Sequence, residues 1–370
     1  MNKIVFPTDV DIALTGRCNL RCKHCNTADT WDLQNELTTS EIFKVFDQLK
    51  ENKIFRLSLF GGEPFSHPDI LRILERLNEY PFSVSILTNA TLIGPDVIPV
   101  LKKMKFLSKI QVSLDGSCAK IHDWQRGEGS FQKTFVALEL LKEHGLPFSL
   151  KAIINDCNYR DIENLVLFAM QMGLKNVDFG DAVECGSAFK YKGNLRLSGQ
   201  IYRETFSAML GLMKKYPDFS FGGTFSQMLE MLQEFYEAGP EKGLRGKLGV
   251  CGAGFNMLSI RSDGEVVPCS SFWTLKCGNV RDKSLKEIWE DSEVLNDIRQ
   301  LKDEPLSQYE NCAKCDYLSY CNGGCRAAAY YSNGNSLRST SYSTCVVFSD
   351  WLNQRLPKQY FFDTCRENIA

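Results

Sequence analysis

Three cysteines near the start of the chain, Cys18, Cys22 and Cys25, are spaced C-x3-C-x2-C directly after a predicted strand. A structural zinc site takes four protein ligands, and a disulfide framework takes cysteines in pairs. Thiolates also select iron–sulfur clusters, and three of them can bind three irons of a [4Fe–4S] cube while the fourth iron stays open to an exchangeable ligand. We therefore expect a cluster with one open iron on this loop. Structural zinc and a chance spacing are the alternatives.

A second field of cysteines occupies the C-terminal part of the chain. It reads C-x12-G-x4-C from Cys251 to Cys269, and it continues as C-x2-C-x5-C-x3-C plus one further cysteine, at Cys312, Cys315, Cys321, Cys325 and Cys345. Zinc is the competing metal there, because C-x2-C together with C-x3-C would satisfy a ribbon-type site. The other cysteines are scattered singly and are interpreted as small buried side chains or free thiols: Cys118, Cys157, Cys185, Cys277 and Cys365.

The composition is that of an ordinary globular protein. Of the 370 residues 44% are hydrophobic and 24% charged, and a net charge of −2 gives no reason to expect binding to nucleic acid or an acidic membrane surface. No apolar run is long enough to span a bilayer, and Asp9 and Asp11 stand where a signal peptide would be apolar. Because a reducing cytosol favours metal binding over disulfides, the 15 cysteines predict a cytoplasmic metalloprotein.

Strand-like and helix-like segments alternate through the first half of the chain, which is typical of βα units with a parallel sheet. The predicted strands are 10–14, 56–60, 83–88, 110–114, 148–154 and 176–179. The predicted helices are 40–50, 69–78, 95–103, 131–143 and 160–172, with Pro68 and Pro95 near helix starts. Six units predict an α/β fold with an open, partial (β/α)6 barrel of the TIM type, whose working face lies at the carboxyl ends of the strands.

The chain is expected to divide into a barrel over residues 1–185, a helical connector over 186–250, a small cysteine-rich domain over 251–348 and a tail over 349–370. Helical periodicity at 198–216 and 224–237 supports the connector. From Cys251 onward the sequence is rich in turns and cysteines, so metal should organise this domain as much as a hydrophobic core does.

The carboxyl ends of the predicted strands carry the unusual residues. The cysteine loop follows the first strand, Gly61-Gly62-Glu63-Pro64 follows the second, Thr88-Asn89 closes the third, and Ser113-Leu114-Asp115-Gly116 ends the fourth. In a parallel barrel these ends meet at one mouth. We therefore expect a single site there.

These motifs resemble those of the radical S-adenosylmethionine (radical SAM) superfamily, whose hallmark is C-x3-C-x2-C. The resemblance implies that SAM binds the open iron through its amino and carboxylate groups. One electron then cleaves SAM to methionine and a 5′-deoxyadenosyl radical, which abstracts hydrogen from the substrate. The residues implied in SAM binding are Gly61, Gly62, Glu63, Pro64, Asn89, Ser113, Asp115 and Arg126.

The resemblance also suggests a role for each position. The Gly-Gly-Glu-Pro turn receives the SAM ammonium, and Ser113 and Asp115 lie near the carboxylate and ribose. Arg126, in HDWQRGEGSF, clamps the carboxylate, a task suited to a planar bidentate donor. His24 is expected to pack near adenine. The role of Asn89 is less typical, because the next residue in LTNA is Ala90 instead of the commoner glycine.

The second cysteine field, together with GNVRDKSLKEIW, resembles the SPASM domain, which carries two auxiliary [4Fe–4S] clusters. The resemblance assigns Cys312, Cys315, Cys321 and Cys345 to the distal cluster. It assigns Cys251, Cys269 and Cys325 to the proximal one, which leaves that cluster one ligand short. Cys277 is available but is not favoured beside the Gly278-Asn279 turn, and an open iron or ligation by substrate is an equal possibility.

The resemblance predicts an enzyme, and its substrate is the open question. We expect hydrogen abstraction from a ribosomally made peptide or protein, with a tetrapyrrole or other small metabolite as the alternative. A metal-stabilised binding scaffold is the non-enzymatic alternative. Ser270 stands where sulfatase maturases carry an aspartate, which counts against that subfamily. Because strand one begins near residue 10, a peptide substrate calls for a separate leader-binding protein. Flavodoxin or ferredoxin is the expected electron donor, and the protein should be oxygen-sensitive.

Overall fold

The computed structural model describes residues 5–31, 33–238, 245–249 and 251–353. Cys365 and residues 354–370 of the expected tail lie outside these ranges. The strands are β1 Asp9–Thr15, β2 Arg56–Gly61, β3 Ser83–Thr88, β4 Leu107–Ser113, β5 Phe148–Ile153, β6 Asn176–Gly180, β7 Ser220–Gly222, β8 Met257–Ile260, β9 Glu265–Val267 and β10 Gly278–Asn279. All six predicted strands are therefore present.

All ten strands belong to one sheet, in the order β10-β9-β8-β1-β2-β3-β4-β5-β6-β7. Strands β1 to β7 run parallel to their neighbours, and β8 pairs parallel to the free side of β1. The predicted α/β fold with an open barrel is confirmed. Four short strands extend it: β7 lies beyond β6, and β8, β9 and β10 lie on the free side of β1. Through β8 the C-terminal cysteine region joins the barrel sheet.

Fifteen α-helices accompany the sheet in the described ranges: α1 Thr39–Glu51, α2 Ile70–Arg76, α3 Ile98–Lys103, α4 Ala119–Arg126, α5 Ser130–Glu143, α6 Ile162–Gln171, α7 Ser187–Lys190, α8 Lys192–Leu195, α9 Gly199–Lys215, α10 Gly223–Ala238, α11 Leu285–Asp291, α12 Glu293–Gln300, α13 Glu310–Ala313, α14 Arg326–Ser332 and α15 Tyr342–Asn353. The predicted helix at Pro95 begins only at Ile98, because Gly94 to Val97 form a turn closed by a 3.1 Å hydrogen bond. Helix α4, which carries Arg126, was not predicted.

The sheet separates an apolar layer from a polar one. On β2, Leu57 and Leu59 are fully buried in the main core, and Ser58 between them faces the other side. Gln111 on β4 donates a 3.2 Å hydrogen bond to Asp178 on β6, which shows that polar side chains meet across the concave face. Because side chains alternate along a strand, the helices cover one face and the barrel interior stays polar.

The C-terminal region is anchored to the barrel by polar contacts as well as by β8. Arg281 donates to the backbone carbonyls of Asn35 and Glu36 and pairs with Glu41 at the start of α1 at 2.7 Å. The buried Trp289 of α11 donates its indole N–H to the carbonyl of Val5 at 2.8 Å. These contacts connect segments that lie more than two hundred residues apart.

Within the described ranges, no helix is both long enough and apolar enough to cross a membrane.

The close approach of the cysteine loop to β2 predicts a sharp effect at Gly62. A Cβ there would overlap the carbonyl oxygens of Gly16 and Arg17, so Gly62→Ala should lower the free energy of unfolding by about 1–3 kcal/mol, as overpacking does. Gly211→Ala is the matched control, because this α9 glycine has open space around its Cβ position. That change should stabilise by about 0.5–1 kcal/mol. Thermal unfolding of both variants measures these changes, and equal shifts in melting temperature would contradict the prediction.

Candidate functional site

The three N-terminal cysteines line a cavity at the carboxyl ends of the barrel strands. This barrel-mouth cavity, of about 280 Å³, is bounded by the cysteine loop, by Gly61 and Gly62 after β2, by Asn89 after β3 and by Ser113 at the end of β4. Arg126 from α4 completes this wall. Glu63, Pro64 and Asp115 do not line the cavity and are buried behind it.

The Cys18, Cys22 and Cys25 thiols suit a metal cluster in their donor chemistry. None of them forms a disulfide. Burial is the largest cause that raises the pKa of Cys18 to about 11 and that of Cys22 to about 12, and negative charge on neighbouring thiols contributes in the same direction. Without a metal the Cys18 and Cys22 thiols are therefore neutral at physiological pH, and metal binding must release their protons.

Hydrogen-bond donors surround these sulfur atoms. The Leu20 N–H points to the Cys18 sulfur at 3.4 Å, and Asn89 Nδ2 lies 3.9 Å from the same atom. Arg126 Nη1 lies 4.0 Å from the Cys22 sulfur. Donors of this kind tune the potential of an iron–sulfur cluster, so the loop fits a cluster electrostatically as well as in ligand number.

A buried ion pair positions Arg126. Its Nε donates to Asp115 Oδ2 at 2.5 Å, and the other carboxylate oxygen accepts the Ile153 N–H at 2.8 Å. Burial alone would raise the pKa of Asp115, but the Arg126 charge holds it below its ordinary value. Asp115 therefore acts on the cavity through Arg126, since it is not itself part of the lining.

His24 also positions Arg126. The His24 ring contacts Gln125 Nε2 at 2.7 Å and Arg126 Nη2 at 3.3 Å. Burial lowers the pKa of His24 to about 4, so the imidazole is neutral and can accept from the guanidinium. Gln125 is in turn hydrogen-bonded to Asn155 beyond β5. The sequence indicated His24 and Arg126 separately but gave no sign of Gln125 or Asn155.

The Gly-Gly-Glu-Pro turn supports the cysteine loop through its backbone. The Gly62 N–H donates to the Thr15 carbonyl and the Glu63 N–H to the Arg17 carbonyl, both at 2.8 Å. The Glu63 carboxyl group accepts from Thr88 Oγ1 at 2.6 Å and from the Asn89 N–H at 2.8 Å. Burial raises its pKa to about 7, although these hydrogen bonds oppose the shift. Glu63 thus ties β2 to the end of β3.

The turn after β3 accommodates Ala90 at the position where glycine is commoner. Ala90 has a φ of 61°, in the left-handed region where glycine is the usual residue, and it is fully buried. The Thr88 hydroxyl accepts the Ala90 N–H at 2.8 Å and stabilises the turn. Asn89 therefore keeps its place at the cavity wall despite the missing glycine.

Further residues line the cavity without having been predicted as site residues, and four of them are polar or charged residues from other elements. Gln111 and Lys151 reach the cavity from β4 and β5, Asp181 follows β6, and Ser270 comes from the C-terminal region. Asp181 could have been suggested by its position just after a predicted strand. Ser270 accepts a 3.3 Å hydrogen bond from Asn26 through its carbonyl, so the cysteine field of the C-terminal region reaches the barrel mouth.

The C-terminal cysteines fall into two groups. Cys312, Cys315, Cys321 and Cys345 line one cavity of about 240 Å³ together with Leu306, Leu318 and Phe348. Cys251 and Cys325 both raise the pKa of the buried Cys269 thiol, after burial itself, which shows that these three lie near one another. Cys277 lies elsewhere, beside Ser292 and Arg299, with its thiol 3.8 Å from the Leu275 carbonyl.

Cys185 lies between the N-terminal cysteine loop and the group formed by Cys251, Cys269 and Cys325. Burial raises the pKa of its thiol to about 12, and negative charges at Asp29, Cys25 and Cys325 add to the effect. The thiol donates to the Asn26 carbonyl at 3.5 Å. Within the ranges that the structure describes, no three His, Cys, Asp or Glu side chains are grouped for a single metal ion. A [4Fe–4S] cube binds one thiolate per iron and needs a wider spacing than a single ion does.

Comparison with known proteins gives concordant matches. The family model of the radical SAM superfamily matches residues 12–169, and that of the SPASM iron–sulfur cluster-binding domain matches residues 251–316. The AdoMet-dependent heme synthase of Methanosarcina barkeri is 29% identical over 89% of this chain and 94% of its own. The PqqA peptide cyclase of Ruegeria pomeroyi is 27% identical over 85% of this chain and 81% of its own.

A solved structure shares the fold. Streptococcus suis SuiB bound to its precursor peptide SuiA superposes with a TM-score of 0.71 at 21% identity, over 92% of this chain and 76% of that one.

Iron analysis tests the cysteine groups. After anaerobic reconstitution we expect about 12 irons per chain, because three cubes hold four each, and little zinc. Replacing Cys18, Cys22 and Cys25 together by alanine should remove about four irons and leave the others. Replacing Cys118 and Cys157, two exposed cysteines outside these groups, should leave the iron content unchanged. Zinc in place of iron would contradict the assignment.

The position of Arg126 predicts its effect on SAM affinity. Arg126→Lys keeps the charge but loses the planar fork, so SAM should bind more weakly by about 1.5–3 kcal/mol, roughly 10- to 150-fold in the dissociation constant. Arg160→Lys is the matched control, since this arginine is largely exposed and pairs only with Glu204 at 3.6 Å. Anaerobic calorimetry of SAM binding measures both. Equal affinities in the two variants would rule out Arg126 as a SAM clamp.

Proposed function

Because this chain belongs to the radical SAM superfamily and carries a C-terminal SPASM domain, we propose that it cleaves SAM reductively at the Cys18–Cys22–Cys25 site and abstracts hydrogen from a ribosomally made peptide or protein. The cavity that these cysteines share with Arg126 is the observation that carries the proposal. A reduced [4Fe–4S] cluster, when bound there, supplies the electron that cleaves SAM to methionine and a 5′-deoxyadenosyl radical.

The protein contributes binding and orientation. Arg126 faces the cavity with its nitrogens held by Asp115 and His24, so it is preorganised to bind the SAM carboxylate. Ser113 and the backbone of Gly61 and Gly62 line the same cavity and can receive the remaining polar groups of SAM. Because the carboxylate partner of Arg126 is buried, little reorganisation is needed when SAM binds.

A second cavity provides room for a peptide. This connector cavity, of about 580 Å³, is lined by residues from the end of β6, from α9, α10 and α15, and by Cys251 and Cys325. Arg196 and Arg245 face it together with Glu184 and Glu230, so it presents both signs of charge. Charges of both signs beside apolar side chains suit a mixed peptide segment, and the likeness to the PqqA peptide cyclase supports this substrate class.

A tetrapyrrole is the second candidate substrate. The heme synthase relative aligns over almost its whole length, and the two arginines of the connector cavity could bind carboxylate side chains. The family matches confirm the expectation of an enzyme instead of a metal-stabilised binding scaffold. We further propose a reducing compartment such as the cytoplasm, a flavodoxin- or ferredoxin-type donor and, for a peptide, a separate leader-binding protein.

Formation of 5′-deoxyadenosine tests the proposal. The reconstituted full-length protein is incubated anaerobically with SAM and dithionite, alone, with a precursor peptide encoded beside its gene, or with an iron tetrapyrrole bearing propionate groups. We expect 5′-deoxyadenosine in every case, faster with the peptide, together with a change in peptide mass. The variant that lacks Cys18, Cys22 and Cys25 should form none.

The outcomes separate the candidates. Stimulation and a mass change with the tetrapyrrole alone would replace the peptide by the second candidate. The absence of 5′-deoxyadenosine from a fully iron-loaded protein would overturn the proposed function itself.

A further inference from the structure

Asp181 stands where the two cavities meet. It follows β6 directly, and it lines both the barrel-mouth cavity and the connector cavity, as its neighbours Ala182 and Val183 do. Among the described residues that line the barrel-mouth cavity, it is the one carboxylate. A substrate group that extends from the connector cavity toward the SAM site must therefore pass this side chain.

Three helices hold Asp181 in place. The Tyr202 hydroxyl of α9 donates to Asp181 Oδ1 at 2.9 Å, and Ser343 of α15 donates a further hydrogen bond to the carboxyl group. The Asp181 N–H donates to Thr224 Oγ1 of α10 at 3.1 Å. Neither side-chain partner carries a charge, so no cation neutralises the carboxylate in the way that Arg126 neutralises Asp115.

The surroundings of Asp181 place its protonation change in the physiological range. Burial raises its pKa to about 6, against the lowering effect of the two hydroxyl donors. The titratable and charged groups on the surrounding elements are Tyr202 of α9, Glu230 of α10, Tyr342 of α15, Lys151 of β5, and Glu184 and Arg196 of the connector cavity. Above about pH 6 the group is a carboxylate that can accept a proton, which suits a general base.

We propose that Asp181 is the catalytic base that accepts a proton from a nitrogen, oxygen or sulfur atom of the substrate beside the carbon that loses hydrogen. This rests on the proposed function. The substrate gives a hydrogen atom to the 5′-deoxyadenosyl radical and a proton to Asp181. One electron must also leave to a one-electron acceptor, and an iron–sulfur cluster held by Cys251, Cys269 and Cys325 would supply that acceptor. The substrate is thereby oxidised by two electrons and loses two hydrogens.

The position of this acceptor group supports the assignment. Cys251 and Cys325 line the same connector cavity as Asp181, so a proton and an electron can leave one bound substrate on neighbouring sides. Ser270 occupies the residue next to Cys269 and offers a hydroxyl, which is a far weaker base than a carboxylate. Asp11 of β1 accepts hydrogen bonds from Ser58 and Ser270 and lines neither cavity. Asp181 is thus the carboxylate best placed at the cavity junction.

The pH dependence of coupled turnover tests the assignment, with the peptide that stimulates 5′-deoxyadenosine formation in the experiment above. In the wild-type protein, the rate of peptide product formation should rise with pH through about 6, because Asp181 must be ionised to accept the proton. Asp181→Asn should lower this rate about 100- to 10,000-fold, as loss of a general base does, and should abolish the rise. Asp181→Glu should restore part of the rate and the rise.

Two further variants separate a base from a structural residue. Tyr202→Phe removes a donor to the carboxylate, so the rise should move to higher pH. Asp156→Asn is the matched control, since Asp156 also follows a strand and has a raised pKa but is exposed and lines neither cavity. In Asp156→Asn the rate of peptide product formation should still rise with pH as it does in the wild-type protein.

Infrared difference titration observes the protonation of the Asp181 carboxyl group directly and needs no substrate. The reconstituted protein with SAM should show carbonyl absorption of protonated carboxylic acids, with one component that disappears as pH rises through about 6 and a second, from Glu63, that disappears near pH 7. Asp181→Asn should lose the first component and keep the second. The inference is overturned if Asp181→Asn keeps the pH rise of the rate, if Tyr202→Phe leaves that rise in place, or if Asp181→Asn loses no component of this absorption. A wild-type protein that forms no 5′-deoxyadenosine would instead overturn the proposed function.

Discussion

The buried ion pair between Asp115 and Arg126 is the interaction on which the barrel-mouth cavity depends. It joins the end of β4 to helix α4, and Asp115 also accepts from β5 through the Ile153 N–H. Arg126 in turn reaches His24 and the Cys22 sulfur on the cysteine loop. Removing one partner of a buried pair leaves an uncompensated charge, which commonly costs about 3–5 kcal/mol. The pair therefore couples the shape of the barrel-mouth cavity to the stability of three strand ends.

The shared sheet sets the second constraint. Strand β8 pairs parallel with β1, so the C-terminal cysteine region continues the barrel sheet. This pairing brings Ser270 to the cavity wall and Cys251 and Cys325 to the connector cavity that Asp181 also lines. The sheet therefore fixes where the Cys251, Cys269 and Cys325 group lies relative to the barrel-mouth cavity.

Asp115, behind the barrel-mouth cavity, and Asp181, which lines it, differ in their neighbouring charges. Asp115 faces the Arg126 guanidinium, and its pKa stays below the ordinary value. Asp181 faces two hydroxyl groups without a neighbouring cation, and its pKa rises to about 6. The same residue type thus has a lowered pKa in one place and a raised pKa in the other. Opposed environments of this kind commonly mark acid–base function in active sites.

The sequence by itself determined the chemistry and the framework of this protein. Cysteine spacing indicated the cluster type, and alternating periodicity placed all six barrel strands, since both signals lie within short stretches of chain. Strands β7 to β10 were not predicted, because their few residues gain stability only from pairing with neighbouring strands. Tertiary structure alone decided that Asp115 lies behind the cavity wall, that Gln125 contacts His24, and that Asp181 lines two cavities. Each of these depends on contacts between residues far apart in the chain, whose burial no local pattern reports.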